Sequence, residues 1–154
     1  MMELSPLVPA LRAAVDLVKD LDALIRRARG RKRMVLLELR SNVNLVRLFF
    51  EAETPIDRVV AKLKTDHLGQ ALESDFSFRS IKGRRVSAET VGGAAQLKPY
   101  VGWSTERLCE QIYLKIRELK DIVEIDPDNP KVRKSVRLSN LLKLMLLLLR
   151  HVAN

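Results

Sequence analysis

Residues Val132 to Val152 read VRKSVRLSNLLKLMLLLLRHV, and the fold turns on how this stretch is buried. Leu138, Leu141, Leu142, Leu144, Met145, Leu146, Leu147, Leu148, Leu149 and Val152 leave few polar interruptions. A helix at a protein surface needs one apolar stripe, whereas a helix apolar on nearly every side must be covered by protein or lipid. Length argues against lipid: the unbroken run Leu144 to Leu149 lies between Lys143 and Arg150, far short of the roughly 20 apolar residues that span a bilayer. The polar residues that remain, Arg133, Arg137, Asn140, Lys143 and Arg150, follow one another at intervals of three, four or seven. Those intervals place them on one line of a helix. The stretch is therefore predicted to be the central helix of a bundle, wet along a single thin stripe.

The rest of the composition agrees with a helical protein. Hydrophobic residues make up 47% and charged residues 31% of the 154-residue chain, while aromatics reach only 5%. That balance excludes a disordered chain and favours helices over strands. The length suits one domain spanning residues 1–154, large enough to hold a core without disulfides or a structural metal. Cys109 stands alone, so no internal disulfide and no multi-cysteine zinc site can form within one chain. The start, Met1-Met2-Glu3-Leu4, lacks the basic and apolar pattern of an export leader. A cytoplasmic protein without membrane attachment is the expectation.

Working back along the chain, Ser5-Pro6 is predicted to open a first helix with a hydroxyl cap and a proline whose missing N–H costs nothing there. Leu7, Leu11, Ala14, Val18, Leu21, Ile25 and Ala28 form its apolar seam, and Gly30 ends it. A second helix runs from Arg31 to Glu53 on Leu36, Leu39, Val43, Val46 and Phe50, with Arg40, Asn44, Arg47 and Glu51 wet. The short connection makes the two antiparallel neighbours. Thr54-Pro55-Ile56-Asp57 signals a third helix carrying Ile56, Val59, Val60, Leu63, His67 and Ala71. Periodicity then fails through Trp103, which predicts a long irregular loop, pinned by Phe76, Phe78, Tyr100 and Trp103, with a short hairpin near Phe76 and Phe78 as one option. Ser104 caps a fourth helix seamed by Cys109, Ile112, Ile116, Leu119 and Val123. Asp126 to Pro130 turns the chain, with Asn129-Pro130 as the cap and first position of the last helix. The predicted fold is thus all-α: an antiparallel bundle of four long helices and one shorter helix, with the irregular loop between helices three and four.

No catalytic pattern is present. Di-metal bundles use inward Glu-x-x-His pairs, and neither His67 nor His151 has a histidine or cysteine at ligand spacing. Helical ribonucleases of the HEPN type place an arginine five to seven residues before a histidine. Lys62, Ala61 and Val60 occupy those places before His67, and Leu146, Met145 and Leu144 before His151. Phosphate-binding glycine loops, nucleophile elbows and His-Glu-x-x-His are missing as well. Cys109 falls on an apolar seam, the place of a core residue. Neither a cofactor nor a metal is expected.

What stands out is a charge of +9 and a pI near 10.1, concentrated in three clusters. Arg26, Arg27, Arg29, Arg31, Lys32 and Arg33 form the first, Arg79, Lys82, Arg84 and Arg85 the second, and Lys131, Arg133, Lys134 and Arg137 the third. Cations are favourable at the C-terminus of the first helix but oppose the dipole at the start of the last. Glu124, Asp126 and Asp128 are the nearest carboxylates that could offset the third cluster. These clusters predict a non-enzymatic bundle that neutralises nucleic-acid phosphates without reading sequence, as an accessory of a larger assembly. Two alternatives compete with it: an interaction or oligomerisation module whose leucine-rich last helix and long loop complete an interface, and a helical, nuclease-like enzyme using polar residues such as Glu38, Arg40 and Asn42. The connection lengths leave two arrangements: if helix three climbs the full length of the bundle, helix four descends and the Asp126–Pro130 turn lies at the end opposite Gly30; if helix three is a short crossing piece, as Gly69 and Asp75 suggest, helix four rises, the turn lies beside Gly30, and the first and third clusters share one end.

Overall fold

The computed structural model describes residues 8–154, so the Ser5-Pro6 cap lies outside the described residues. The helices are α1 (Val8–Arg27), α2 (Gly30–Ala52), α3 (Ile56–Lys62), α4 (Asp66–Glu73), α5 (Ala88–Val91), α6 (Thr105–Ile125) and α7 (Lys134–Ala153), with 3-10 turns at Phe78–Ser80 and Ala95–Tyr100. The architecture is all-α, built on four long helices, with no strand among the described residues.

α7 is the centre. Every apolar residue from Leu138 to Val152 is buried, and α1, α2, α5 and α6 all pack on it. Burying a leucine side chain contributes about 1.5–3 kcal/mol, so this helix carries the largest apolar contribution of any element. Its polar line is the expected one: Arg133, Arg137 and Asn140 are exposed, Lys143 and Arg150 half-buried. The helix starts later than Asn129-Pro130 predicts. Asn129 Oδ1 accepts from the Lys131 amide and its Nδ2 donates to Asp126, so the turn uses this residue locally and α7 begins at Lys134. Ser104 caps α6 as expected, accepting from the Arg107 amide.

The third predicted helix is two helices. The chain breaks at Leu63, where ψ is 139°, and three distant side chains satisfy the opened backbone. Asn42 donates to the Lys64 carbonyl at 2.7 Å and accepts from its amide at 2.9 Å. Lys120 Nζ donates to the carbonyls of Ala61 at 2.9 Å and Leu63 at 2.7 Å. Buried Glu38 accepts from the amides of His67 and Leu68, both at 2.9 Å, closing the start of α4. A carboxylate there meets both the free N–H groups and the positive end of the helix. Gly69 sits inside α4, where a Cβ would come within 3.1 Å of the Tyr113 ring on α6; the glycine permits close packing and does not end the helix.

The break does not turn α3 and α4 into a crossing piece, and of the two arrangements the sequence allows, the climbing one is found, not the favoured crossing one. Glu38 pairs with the start of α4, and Arg31, near the start of α2, reaches Gln70 farther along it. α3 and α4 together therefore climb back along α2 to the Gly30 end. Thr105, which opens α6, donates to the Lys82 carbonyl at 2.7 Å and meets His151 at the finish of α7 at 2.9 Å. α6 thus descends, and Lys134 bonds Asp57 at the opposite end. The Asp126–Pro130 turn lies away from Gly30.

The expected irregular loop is a sequence of short packed turns. Phe78, Val86, Val91 and Leu97 are buried, and no hairpin forms at Phe76 and Phe78, whose rings meet edge to face. Two backbone bonds, Val86 N to Trp103 O at 2.9 Å and Gly102 N to Val86 O at 2.8 Å, clasp the segment shut. Trp103 is held between Tyr100 and the Arg107 guanidinium, 4.0 Å from its ring centre.

Candidate nucleic-acid interface

The arrangement of helices sorts the three basic clusters into two ends. The first lies at the α1–α2 corner. The second follows α4 and joins the first directly, because Lys32 Nζ donates to the Ser80 carbonyl at 2.7 Å. The third sits on the far turn and the start of α7. The expected union of first and third clusters is therefore replaced by a union of first and second, and the cause is the climb of α3 and α4.

The two ends differ in what their cations bind. Among the described residues, no cation of the first or second cluster is ion-paired; the four salt bridges lie elsewhere. Their acceptors are neutral. Arg29 donates to the carbonyls of Ala28 and Arg26 at the end of α1, Arg27 to that of Ala23, and Arg85 to that of Gly102. Arg26, Arg33, Arg79 and Arg84 are exposed. By contrast Lys134 bonds Asp57 at 2.6 Å and the Pro127 carbonyl at 2.6 Å, and Arg137 pairs with Glu118. The predicted neutralisers Glu124, Asp126 and Asp128 are not the partners. Lys131 and Arg133 remain exposed beside these pairs.

α2 begins amid this charge. Its first turn holds no acidic residue, Arg29 supplies no side-chain cap, and Arg31, Lys32 and Arg33 stand at the positive end of the dipole. Such an arrangement is self-repulsive and is relieved by an anion. Gly30, at φ +57°, has open space where a Cβ would sit.

The second cluster also edges a cleft of about 420 Å³ lined by Lys82, Arg84, Arg85, Ser87, Glu89, Thr90, His151 and Asn154. His151 is only 2% exposed. Thr105 gives its single hydroxyl proton to Lys82 O, so it accepts from His151, which must carry its proton on Nε2. Burial, reinforced by the charge of Lys82, lowers the His151 pKa. Ser87, Thr90, His151 and Asn154 match no motif by their spacing, and only the fold brings them to Lys82.

The residues considered for catalysis have structural partners. Glu38 caps α4, Asn42 bridges the α3–α4 break, and Arg40 pairs with Asp22 at 3.0 Å. Cys109 is buried, and its thiol is pushed up to about 12 by desolvation and then by Glu106, so it is no nucleophile at neutral pH. Among the described residues no helix is long and apolar enough to cross a membrane, and no group of three or more potential ligands could hold a metal ion. No family model, curated protein or solved structure matches this chain.

Proposed function

We propose that this protein binds nucleic-acid backbone through its Gly30 end, as a non-enzymatic accessory of a larger assembly in the cytoplasm. The observation that carries the reading is the gathering of ten cations, Arg26 to Arg33 and Arg79 to Arg85, at one end without a carboxylate partner among the described residues. Phosphates would replace the neutral acceptors that these side chains now use, and a phosphate at the start of α2 would also relieve its repulsion. The third cluster takes a secondary place, since Lys134 and Arg137 are already engaged. Fluorescence anisotropy with duplex and single-stranded oligonucleotides over a salt series tests this. If about half of the ten cations engage, log K should fall with log salt at a slope of roughly −4 to −5 on duplex DNA. Absence of binding to DNA and RNA at low salt would rule the reading out.

A second reading rests on the outer face of α6, where Leu114 is 50% and Ile125 80% exposed beside Ile122. Such a strip suits a protein partner or a second copy. Mass measurement in solution across a concentration series separates self-association from monomer.

A further inference from the structure

We infer that the outward face of α2 is a contact between two copies of this chain, paired antiparallel about a two-fold axis at Ser41. α2 has two apolar faces. Val35, Leu36, Leu39, Val43, Val46 and Phe50 are buried in the core, while Met34, Leu37, Ser41, Leu45 and Leu48 follow one another on the opposite side at intervals of three, four, four and three. Met34 is 39% and Leu48 45% exposed, Ser41 is exposed, and Leu37 and Leu45 are half-buried. A helix with one covered face carries polar residues on the other; this one keeps a second apolar strip, about 21 Å long at 1.5 Å per residue. The strip is distinct from that on α6 and owes nothing to the nucleic-acid reading.

The order of residues in the strip points to a second copy as its occupant. Leu37 and Leu45 lie four residues to either side of Ser41, and Met34 and Leu48 lie seven. An antiparallel copy therefore sets Met34 against Leu48, Leu37 against Leu45 and the small Ser41 against itself, the self-complementary contact that a two-fold axis requires. Charge favours the same direction. α2 begins among Arg29, Arg31, Lys32 and Arg33 with no acid in its first turn, and it finishes at Glu51 with no cation in its last, so each end opposes the helix dipole. Antiparallel pairing lays the cationic start of one α2 along the acidic finish of the other. Arg33 and Glu51 are eighteen residues apart, five turns, and so share one flank of the strip; across the axis they come about 3 Å from level. Glu51 binds Arg47 of its own helix at 3.2 Å and stays 41% exposed, open to a second guanidinium. Arg40, beside the axis, is neutralised by Asp22 at 3.0 Å. A parallel pair would instead stack the two Gly30 ends against a charge of +9 per chain, whereas the antiparallel pair holds the two α2 starts about 33 Å apart, well beyond the Debye length of about 8 Å. Arg33 is the cation of the Gly30 end that this contact draws into an ion pair. A contact of this size stands at the small end of specific interfaces, and a reversible dimer with Kd on the order of 10 µM is expected.

Sedimentation equilibrium of the full chain, stripped of nucleic acid, tests the pairing from about 1 to about 200 µM. The mass should rise from 17.6 kDa toward twice that value, and should do so at about 0.5 M salt as well as at about 0.15 M, because screening weakens the repulsion and leaves the apolar contact in place. Met34→Glu/Leu48→Glu, at two exposed positions, should hold the chain monomeric over the same range with an unchanged melt. Disulfide trapping reads the register, since Cys109 is buried and stays out of the reaction. Ser41→Cys should cross-link to itself under mild oxidation, whereas Met34→Cys and Leu48→Cys, each about 21 Å from its own counterpart, should cross-link only when the two are mixed. If the glutamate pair fails to fold, the cysteine variants decide alone. A monomer at every concentration would overturn the inference, as would a dimer that survives Met34→Glu/Leu48→Glu. Loss of the dimer in Leu114→Glu/Ile125→Glu would place the contact on α6 instead, and Met34→Cys cross-linking readily to itself would replace the antiparallel axis with a parallel one; either result contradicts the pairing at Ser41.

Discussion

The two ends of the bundle carry similar runs of lysine and arginine and put them in opposite electrostatic circumstances. At the Asp126–Pro130 end, the fold delivers Asp57 from α3 to Lys134 and Glu118 from α6 to Arg137. At the Gly30 end it delivers carbonyls and one amide, from Ala23, Ala28, Ser80, Gly102 and Gln70. A carbonyl satisfies an N–H but leaves the charge in place. A count of cations along the chain therefore does not give a potential. What decides it is which carboxylates tertiary structure brings near, and Asp57 lies 77 residues from its lysine.

Both ends pack on α7 and should unfold as one cooperative core. Leu144→Ala, in a side chain with 1% exposure, should destabilise by about 2–5 kcal/mol. Trp103 fluorescence reports the Gly30 end and far-ultraviolet circular dichroism reports all helices. Coincident denaturant transitions would support one core, and separated ones would show that the ends unfold independently. Next in size is Glu38→Ala, which removes the acceptor for two amides at the start of α4 and should cost about 1.5–3 kcal/mol. A loss below half of that in thermal melts would mean that the climb of α3 and α4, and hence the separation of the ends, does not depend on this carboxylate. The smallest effect belongs to the paired end. Asp57→Asn breaks a bond to Lys134 whose aspartate is 44% exposed, and solvent screening limits the cost to no more than about 1 kcal/mol. It should, however, free one cation, so a slight gain in nucleic-acid affinity at low salt is the sharper readout.

Much of this architecture was legible in the residues. α7 announces itself because a helix apolar all round has one place to go, and Ser104 caps α6 by chemistry contained within four residues. The α3–α4 break was not legible, since its supports, Asn42, Glu38 and Lys120, sit on two other helices. The direction of α6 depends on how α3 and α4 run, so the residues left two arrangements open and favoured the one that is not found. Between Phe78 and Leu97 the buried residues Val86 and Val91 obey no helical or strand period, so pattern reading returned a loop where the chain packs as short turns. For the candidate site, the cations were visible and their partners were not. His151 contacts Thr105, 46 residues away in the chain, and lines the cleft beside Lys82.

The Gly30 end is electrostatically open and the far end closed, and reciprocal charge reversal measures that difference. One variant carries Arg31→Glu, Lys32→Glu, Arg33→Glu and Arg79→Glu; the other carries Lys131→Glu, Arg133→Glu, Lys134→Glu and Arg137→Glu. Each changes the net charge by the same amount, so a difference between them reports position alone. Binding of both to one labelled oligonucleotide is compared at fixed salt, with melting curves as the control. The first variant should lose at least about a hundredfold in affinity, with its melt preserved, and the second should lose several-fold less. Equal losses would show that net charge alone governs binding, and a larger loss from the second would place the interface at the opposite end.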